Sequence, residues 1–394
     1  MNPKRRLFLM KNPYDLEKSR AFFLDAVKAD LEYHRTNCAD YAEILKEQNF
    51  DINTVKTEND LYRIPVIPTL YFKRNRLFSI PEEKLVIKAA SSGTQGLRSI
   101  VGFDKSTLVC GILMMLRFLS YHRLISPLPT NYIVLGFQPS SHTQMGAIKT
   151  AYGITKFAPA LHREYALKDN GSGYSLNIDG IKNALLKYAK SGFPVRFVGF
   201  PPYMYFLVKA LKDNGISLKL NRHSKVLLGG GWKQFSAEEI DKEDFYQLIE
   251  ETLGIKKANC LEFFSAVEHP LPYCKCENGH FHVPVYSRVI IRDVNTLKPV
   301  SNRQLGLLSF VSPLVSSMPL LSIVTDDLAV LHDGSQCGCK IKTPYFELHG
   351  RAGVQQIKTC TADAAELLGG TLNQAAPGLL VESNAAVHPG GERI

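Results

Sequence analysis

Between Tyr132 and Phe264 the chain alternates between short, continuous apolar runs and longer stretches whose apolar residues recur three and four positions apart. Tyr132–Gly136, Val195–Gly199, Lys225–Leu228 and Asn259–Phe264 read as strands, and Ile181–Lys190, Pro202–Lys212 and Ala237–Leu253 as helices. Such alternation has few solutions. Parallel strands need a long crossover, and a helix packed on the sheet supplies it. The texture changes after Cys274: Val285–Arg292, Gly306–Val311, Leu320–Thr325 and Leu328–His332 are strand-like runs separated only by turns, which predicts an antiparallel region. Ahead of both, residues 15–48 carry helical periodicity, and Ile64-Pro65-Val66-Ile67-Pro68 is held extended because each proline restricts its predecessor. The expectation is an α/β fold: a large N-terminal lobe of mixed and parallel sheets flanked by helices, with a β-rich sublobe over about 270–350. Residues 1–368 form the folded unit, and 369–394, rich in Gly, Pro, Ala and Asn, are expected as a mobile tail.

The chain's 394 residues, 45% of them hydrophobic, can bury large cores. A formal charge of +10 admits nucleic acid, membrane surfaces or small anions as partners. Apart from Lys4-Arg5-Arg6 and Lys73-Arg74-Asn75-Arg76 the basic residues are scattered, and no aromatic-basic RNA motif occurs, which argues against nucleic acid. The apolar run Leu7–Met10 is too short for a signal peptide. The most apolar helical stretch, Leu108–Leu119, contains Arg117 and falls far short of a membrane span. A soluble, cytoplasmic protein is expected, with its eight cysteines as thiols or metal ligands rather than disulfides.

Several stretches carry chemistry. Ala90-Ser91-Ser92-Gly93-Thr94-Gln95-Gly96-Leu97-Arg98-Ser99 lies between a run read as a short buried strand, Leu85-Val86-Ile87, and a helix from Ser106 to Leu119. Its hydroxyls and glycines can turn donors toward an anion such as triphosphate; a plain connection would look similar. Gly229-Gly230-Gly231-Trp232-Lys233 follows a strand. It reads either as a tight turn or as backbone bared for a ring or phosphate, with Lys233 as the neutralising cation. Glu262-Phe263-Phe264-Ser265-Ala266-Val267-Glu268-His269 takes a strand into a loop. There Glu268 is the carboxylate for a hard cation beside phosphate. Ser322–Leu328 puts Asp326 and Asp327 at a strand end, where acids are often only solvated. Cys274-Lys275-Cys276, His280-Phe281-His282 and Cys337-Gly338-Cys339 offer six ligands for the four places of a tetrahedral Zn²⁺, and their order favours Cys276, His282, Cys337 and Cys339.

Taken in order, Ser91–Gly96, Glu262–Glu268, Thr325–Leu328 and Gly350-Arg351 resemble the motifs of the adenylate-forming superfamily, in particular its phenylacetate–coenzyme A ligase branch. Gly229–Lys233, Gly279-His280-Phe281-His282-Val283-Pro284, Ile290-Ile291-Arg292-Asp293 and Thr325-Asp326-Asp327-Leu328 are closer still to the acyl-protein synthetases of bacterial bioluminescence. The resemblance covers roughly residues 10–370. It implies ATP-dependent activation of a carboxylic, and specifically a fatty, acid to an acyl-adenylate, followed by transfer to a cysteine near the C-terminus, here Cys360. It further implies that Ser91, Ser92, Gly93, Thr94 and Gly96 cradle phosphates, that Gly230 and Gly231 border the nucleotide, and that Glu268 binds Mg²⁺. Asp327 then bonds the ribose hydroxyls and Arg351 meets ribose or phosphate. Ser265 stands where the superfamily prefers another residue. Larger members carry a catalytic Lys on a rotating C-terminal lobe. This sequence runs from Arg351 only to Ile394, so the lobe is expected to be truncated and its Lys replaced by Lys233 or Arg351, with Lys358 behind them. The acyl acceptor is Cys360, a carrier or other acceptor protein, or coenzyme A. A nucleotide-binding interaction protein without turnover and a zinc-stabilised scaffold are the alternatives of other classes. Phe137, Gln138, His142 and Met145, after the Tyr132–Gly136 strand, are candidates for the acid pocket.

Overall fold

A computed structural model describes residues 3–90, 99–140, 146–171 and 173–352. In chain order its helices are α1 (Pro3–Phe8), α2 (Leu16–Asn37), α3 (Ala39–Glu47), α4 (Tyr71–Arg74), α5 (Lys105–Tyr121), α6 (Gly146–Ile154), α7 (Ile178–Ser191), α8 (Pro201–Asp213) and α9 (Lys242–Leu253). Its strands are β1 (Ile67–Pro68), β2 (Ile87–Ala90), β3 (Ile100–Phe103), β4 (Thr130–Phe137), β5 (Ala160–Asp169), β6 (Tyr174–Leu176), β7 (Val195–Gly199), β8 (Lys225–Gly229), β9 (Cys260–Phe264), β10 (Tyr273–Cys274), β11 (Phe281–His282), β12 (Arg288–Arg292), β13 (Leu305–Val311), β14 (Ser322–His332) and β15 (Tyr345–Arg351).

Two large sheets organise the described residues. The first has the order β10-β9-β8-β7-β4-β5-β6. Its five inner strands are parallel and its two edge strands antiparallel. Side chains alternate across it. Ile133, Leu135, Phe197, Val226 and Leu228 pack under α7, α8 and α9 on one face, while Tyr132, Val198 and Leu227 pack on the other against Phe118 of α5. The second sheet has the order β11-β15-β14-β13-β12, with β1 added in parallel to β14. It is otherwise antiparallel and packs on α1 and α2 through Phe8, Phe23, Tyr286 and Phe310. Each such fully buried side chain contributes about 2 kcal/mol. A third cluster joins the sheets: Tyr132 and Leu227 of the first meet Cys337, Cys339, Ile341 and Tyr345, which lead into the second.

The mixed α/β class and the change to antiparallel pairing after Cys274 are as the sequence predicts. Three local expectations need correction. Val86 and Ile87 are 51% and 38% exposed, so the segment before the Ser/Gly loop is not a buried strand. Instead β2 pairs only with β3, as an antiparallel two-stranded ribbon. The helix expected from Ala237 begins at Lys242, because the Asp241 side chain accepts from the N–H groups of Glu243 and Asp244 and caps it there. Finally, Leu320–Thr325 and Leu328–His332 are one strand, β14. Pairing with β13 on one side and β15 on the other carries the extended backbone through Asp326 and Asp327, with a bulge beside Leu328.

His122, just past α5, is packed against Phe118 and lies 2.8 Å from the Tyr14 hydroxyl. Burial lowers its pKa to about 4, from an ordinary value of 6.5. The unfolded chain therefore takes up a proton near pH 6.5 that the folded chain refuses until about pH 4. The stability of the neutral ring is complete above pH 6.5 and is lost as pH falls toward 4, by up to about 3 kcal/mol. Urea midpoints of wild type and His122→Phe should converge across that window; a constant difference from pH 7 to 4 would contradict it.

Candidate active site

In an open sheet with parallel strands, ligands meet the loops at the carboxyl ends. Here those ends are Phe137 of β4, Gly199 of β7, Gly229 of β8 and Phe264 of β9. Gly199 has φ +147°, and a Cβ there would sit 2.2 Å from the Leu135 carbonyl oxygen, so only glycine lets β7 end beside β4. Gly230 and Gly231 follow β8 with φ +84° and +65°, turning the chain back on itself. Trp232 then buries its ring between Tyr205 and Phe245. The tryptophan anchors this turn to α8 and α9, and the glycines form its exposed part. Lys233 opens a 3₁₀ turn that runs to Glu238.

The loop after β9 carries Glu268, which is buried. Its carboxylate accepts no hydrogen bond from a described side chain. Asp327 lies on β14 opposite Arg351 of β15, and the Arg351 Nε donates to Asp327 Oδ1 at 2.9 Å. The next residue, Ala352, donates its N–H to the Asp326 carbonyl oxygen at 2.8 Å. Asp327 raises the Arg351 pKa, with burial opposing and with Asp326 and Glu268 adding to the rise. Asp327 and Arg351 are thus in direct contact, and Glu268 lies near enough for its charge to act on the guanidinium. The Glu268 carboxylate, which accepts no hydrogen bond among the described residues and lies within electrostatic reach of a guanidinium, is a hard oxygen donor that suits Mg²⁺ at a polyphosphate. The Arg351–Asp327 pair offers both a donor and an acceptor to a ribose or phosphate.

The cysteine cluster lies elsewhere, at the junction of the sheets. Sγ of Cys276, Cys337 and Cys339 and a ring nitrogen of His282 all fall within 4.8 Å of one another. Cys276 and Cys337 sulfurs are 3.5 Å apart, and Cys339 Sγ is 3.2 Å from His282 Nε2. A tetrahedral site with Zn–S near 2.3 Å has ligand–ligand edges of about 3.8 Å, so the set is close to the required size. His282 Nδ1 lies 2.8 Å from the Thr343 carbonyl oxygen, which fixes its proton there and leaves Nε2 for a metal. Burial opposes ionisation of Cys276, but hydrogen bonds from His282 and from the His280 and Asn278 backbone outweigh it and lower the pKa. Cys337 and Cys339 are raised, chiefly by burial. Cys274 is buried apart from this set, whereas His280 places Nδ1 3.1 Å from Cys337 Sγ and is an outer neighbour.

Of the other residues singled out from the sequence, Ser91, Ser92, Gly93, Thr94, Gly96, His142, Met145, Lys358 and Cys360 lie outside the described residues, as does the Lys233 side chain. Phe137 packs against Tyr174, whose hydroxyl donates to the Gln138 carbonyl oxygen. The sequence reading missed the buried group His269, Tyr273 and Ser287 behind Glu268. His269 adjoins a singled-out acid, but nothing local signals that it is buried.

The profile of the family described as "Acyl-protein synthetase, LuxE" matches residues 6–368. The chain is 26% identical over 297 residues to a long-chain-fatty-acid–luciferin-component ligase of Aliivibrio fischeri, covering 73% of this chain and 74% of the relative. It is 25% identical over 383 residues to the Vibrio harveyi protein of that name, covering 91% and 92%. Among solved structures, an open conformation of 2-hydroxyisobutyryl-CoA ligase with its acyl-adenylate and coenzyme A superposes with a TM-score of 0.63 at 14% identity, covering 86% of this chain and 71% of that one, a likeness of fold. With its profile matched along nearly the whole sequence, the chain belongs to the LuxE acyl-protein synthetase family.

Proposed function

We infer that the chain is an AMP-forming acid–thiol ligase that activates a fatty acid. A carboxylate oxygen attacks the α-phosphorus of ATP, the bond to the β-phosphate bridge breaks, and pyrophosphate leaves. A thiolate then attacks the acyl carbon of the mixed anhydride and AMP departs. The first step brings two anions together, so the protein's task is to align them and offset their charge. The convergence of Glu268, Asp327 and Arg351 carries this reading. Glu268 would hold Mg²⁺, which supplies charge neutralisation at the phosphates when bound. Asp327 accepts from the ribose hydroxyls, and Arg351 contacts ribose or phosphate. Ser91, Ser92, Gly93, Thr94 and Gly96 supply donors to the triphosphate, Gly230 and Gly231 border the nucleotide, and Lys233 stabilises charge developing at the α-phosphate. The long-chain acids in the relatives' names support a fatty acid as substrate. The acceptor is the chain's own Cys360, with an acceptor protein, a carrier protein or coenzyme A downstream.

Cys276, His282, Cys337 and Cys339 would hold one structural Zn²⁺, remote from the chemistry. No described helix is long and apolar enough to cross a membrane. A reaction fed by ATP and run through reduced thiols suits the cytoplasm.

ATP–pyrophosphate exchange with a panel of carboxylic acids of increasing chain length tests the first step. Acid-dependent exchange is expected, and binding of ATP without exchange under any acid would favour an interaction protein instead. In the same assay Asp327→Ala should raise KM for ATP about tenfold, the weight of a hydrogen bond to a charged group, and leave KM for the acid within about twofold.

A further inference from the structure

We propose that His269 is a positioning residue that sets the Glu268 carboxylate in register with Asp327 and Arg351. The inference rests on the reading of Glu268 as the cation-binding carboxylate. Among the described residues Glu268 accepts no hydrogen bond, so beyond its charge interaction with Arg351 its direction is set by the backbone that carries it.

That backbone is a tight turn. Ala266 N–H donates to the His269 carbonyl oxygen at 3.3 Å, and His269 N–H donates back to Ala266 at 3.1 Å. Val267 and Glu268 form the tip between them. Leu271 N–H also donates to His269, at 2.7 Å. The turn is therefore only as fixed as its His269 leg.

His269 is held from both sheets. Its ring stacks on Phe310 of β13, with centroids 4.1 Å apart and planes 12° from parallel. Its Nε2 lies 2.8 Å from the Tyr273 hydroxyl of β10 and 3.4 Å from Ser287 Oγ, to which the Tyr273 hydroxyl donates at 2.7 Å. All three side chains are buried. Phe310 belongs to the sheet that carries Asp327 and Arg351, and it pairs with Ile323 of β14. Tyr273 belongs to the edge of the sheet from which the Glu268 loop emerges. One imidazole thus ties the Glu268 turn to both halves of the nucleotide site. An apolar side chain would fill the space, but the ring could then rotate freely of Tyr273. Burying a polar ring is costly without its hydrogen bond, so the bond locks the ring's orientation.

The test compares wild type, Glu268→Gln, His269→Phe, His269→Gln and Tyr273→Phe. Each is titrated with Mn²⁺ in the presence of a non-hydrolysable ATP analogue, following the electron paramagnetic resonance signal of free Mn²⁺, alongside the Mg²⁺ half-saturation of pyrophosphate exchange. His269→Phe keeps the stack and loses the hydrogen bond. It should weaken the ternary metal complex about tenfold and raise Mg²⁺ half-saturation equally, with KM for the acid unchanged. His269→Gln, which returns an amide near the Nε2 position, should recover most of that loss. Tyr273→Phe combined with Ser287→Ala, added to the series, removes both partners of Nε2 without touching the turn and should shift the metal complex in the same direction, which keeps the test open if His269→Phe does not fold. Folded His269→Phe, or the folded Tyr273→Phe/Ser287→Ala pair, with wild-type metal binding would overturn the role of His269 while Glu268→Gln still weakens binding. Wild-type metal binding in Glu268→Gln would overturn the reading of Glu268 itself and this inference with it.

Discussion

Cys339→Ser is expected to lose the proposed zinc and to lower the melting temperature by at least roughly 5 °C. Loops 276–282 and 337–341 contain almost no regular structure. Their order comes from the buried set of Cys337, Cys339, Ile341 and Tyr345 and from the four ligand atoms gathered within 4.8 Å. Gly338, with φ +76°, turns the chain between its two thiols so that both sulfurs face Cys276 and His282. Structural zinc binds such sets with apparent free energies of about 10–16 kcal/mol, and an unfolded chain gathers no such site, so binding energy becomes folding energy. Replacing one thiolate by a hydroxyl forfeits several kcal/mol of this. In a chain of this size each kcal/mol moves the melting temperature by about 1 °C. The effect is more than a cavity: Cys110→Ser, in a buried position away from the cluster, should cost only about 1–3 kcal/mol and retain the metal. Elemental analysis should find near one zinc per wild-type chain and far less in Cys339→Ser. Chelator should reproduce the mutant's melting curve in wild type. Activity per folded molecule should change little, because the cluster and the Glu268–Asp327–Arg351 group are separate. Identical melting of wild type with and without chelator would rule out a structural metal here.

The sequence exposes those parts of the molecule whose physics is local. β7 matches its expected limits, Val195–Gly199, because an inner parallel strand is apolar on both faces and ends at a glycine. The Cys-x-Cys spacing likewise singles out ligands without knowledge of the fold. Edge and amphipathic elements are harder. β5 passes unnoticed because His162, Arg163, Glu164 and Lys168 interrupt its apolar residues, and β15 because only Tyr345 and Phe346 are buried and its outer half, Leu348 to Arg351, is exposed. The site is legible in part for the same reason. Asp327 and Arg351 can each be named from a short motif, but their 2.9 Å contact depends on the pairing of β14 with β15, which no window of sequence contains. His269 shows the limit: its stack on Phe310 is a contact between residues far apart in the chain.

Cys360→Ala should retain acid-dependent pyrophosphate exchange and lose all covalent acylation. The two half-reactions need different things. Adenylation needs the two anions aligned by the residues proposed for the nucleotide, from Ser91 to Arg351. Transfer needs a thiol carried to the acyl carbon, and Cys360 follows Arg351 by only a short stretch of chain. Nine further residues, extended, reach at most about 30 Å from Arg351, which is long enough for the thiol to meet an adenylate proposed to lie beside Asp327. Reactivity requires thiolate, and Lys358, two residues before the thiol, favours it. Asp363 acts in the opposite sense, so the thiolate fraction at neutral pH depends on which of the two lies nearer. Cys274 is buried, which raises its pKa, and the half-buried Cys276 and the buried Cys337 and Cys339 share the proposed metal, so none of these four competes as acceptor. With the correct acid, ATP and Mg²⁺, wild type should therefore carry an acyl group that hydroxylamine removes, visible as one added mass on the intact chain. Cys360→Ser should lose that label or hold it as an ester that resists hydroxylamine. Cys360→Ala should carry none, and its exchange rate should stay within about twofold of wild type, because the thiol plays no part in the first step. If Cys360→Ala still passes acyl groups to coenzyme A or a carrier protein at the wild-type rate, the adenylate is being attacked directly by the external thiol, and Cys360 has a structural role.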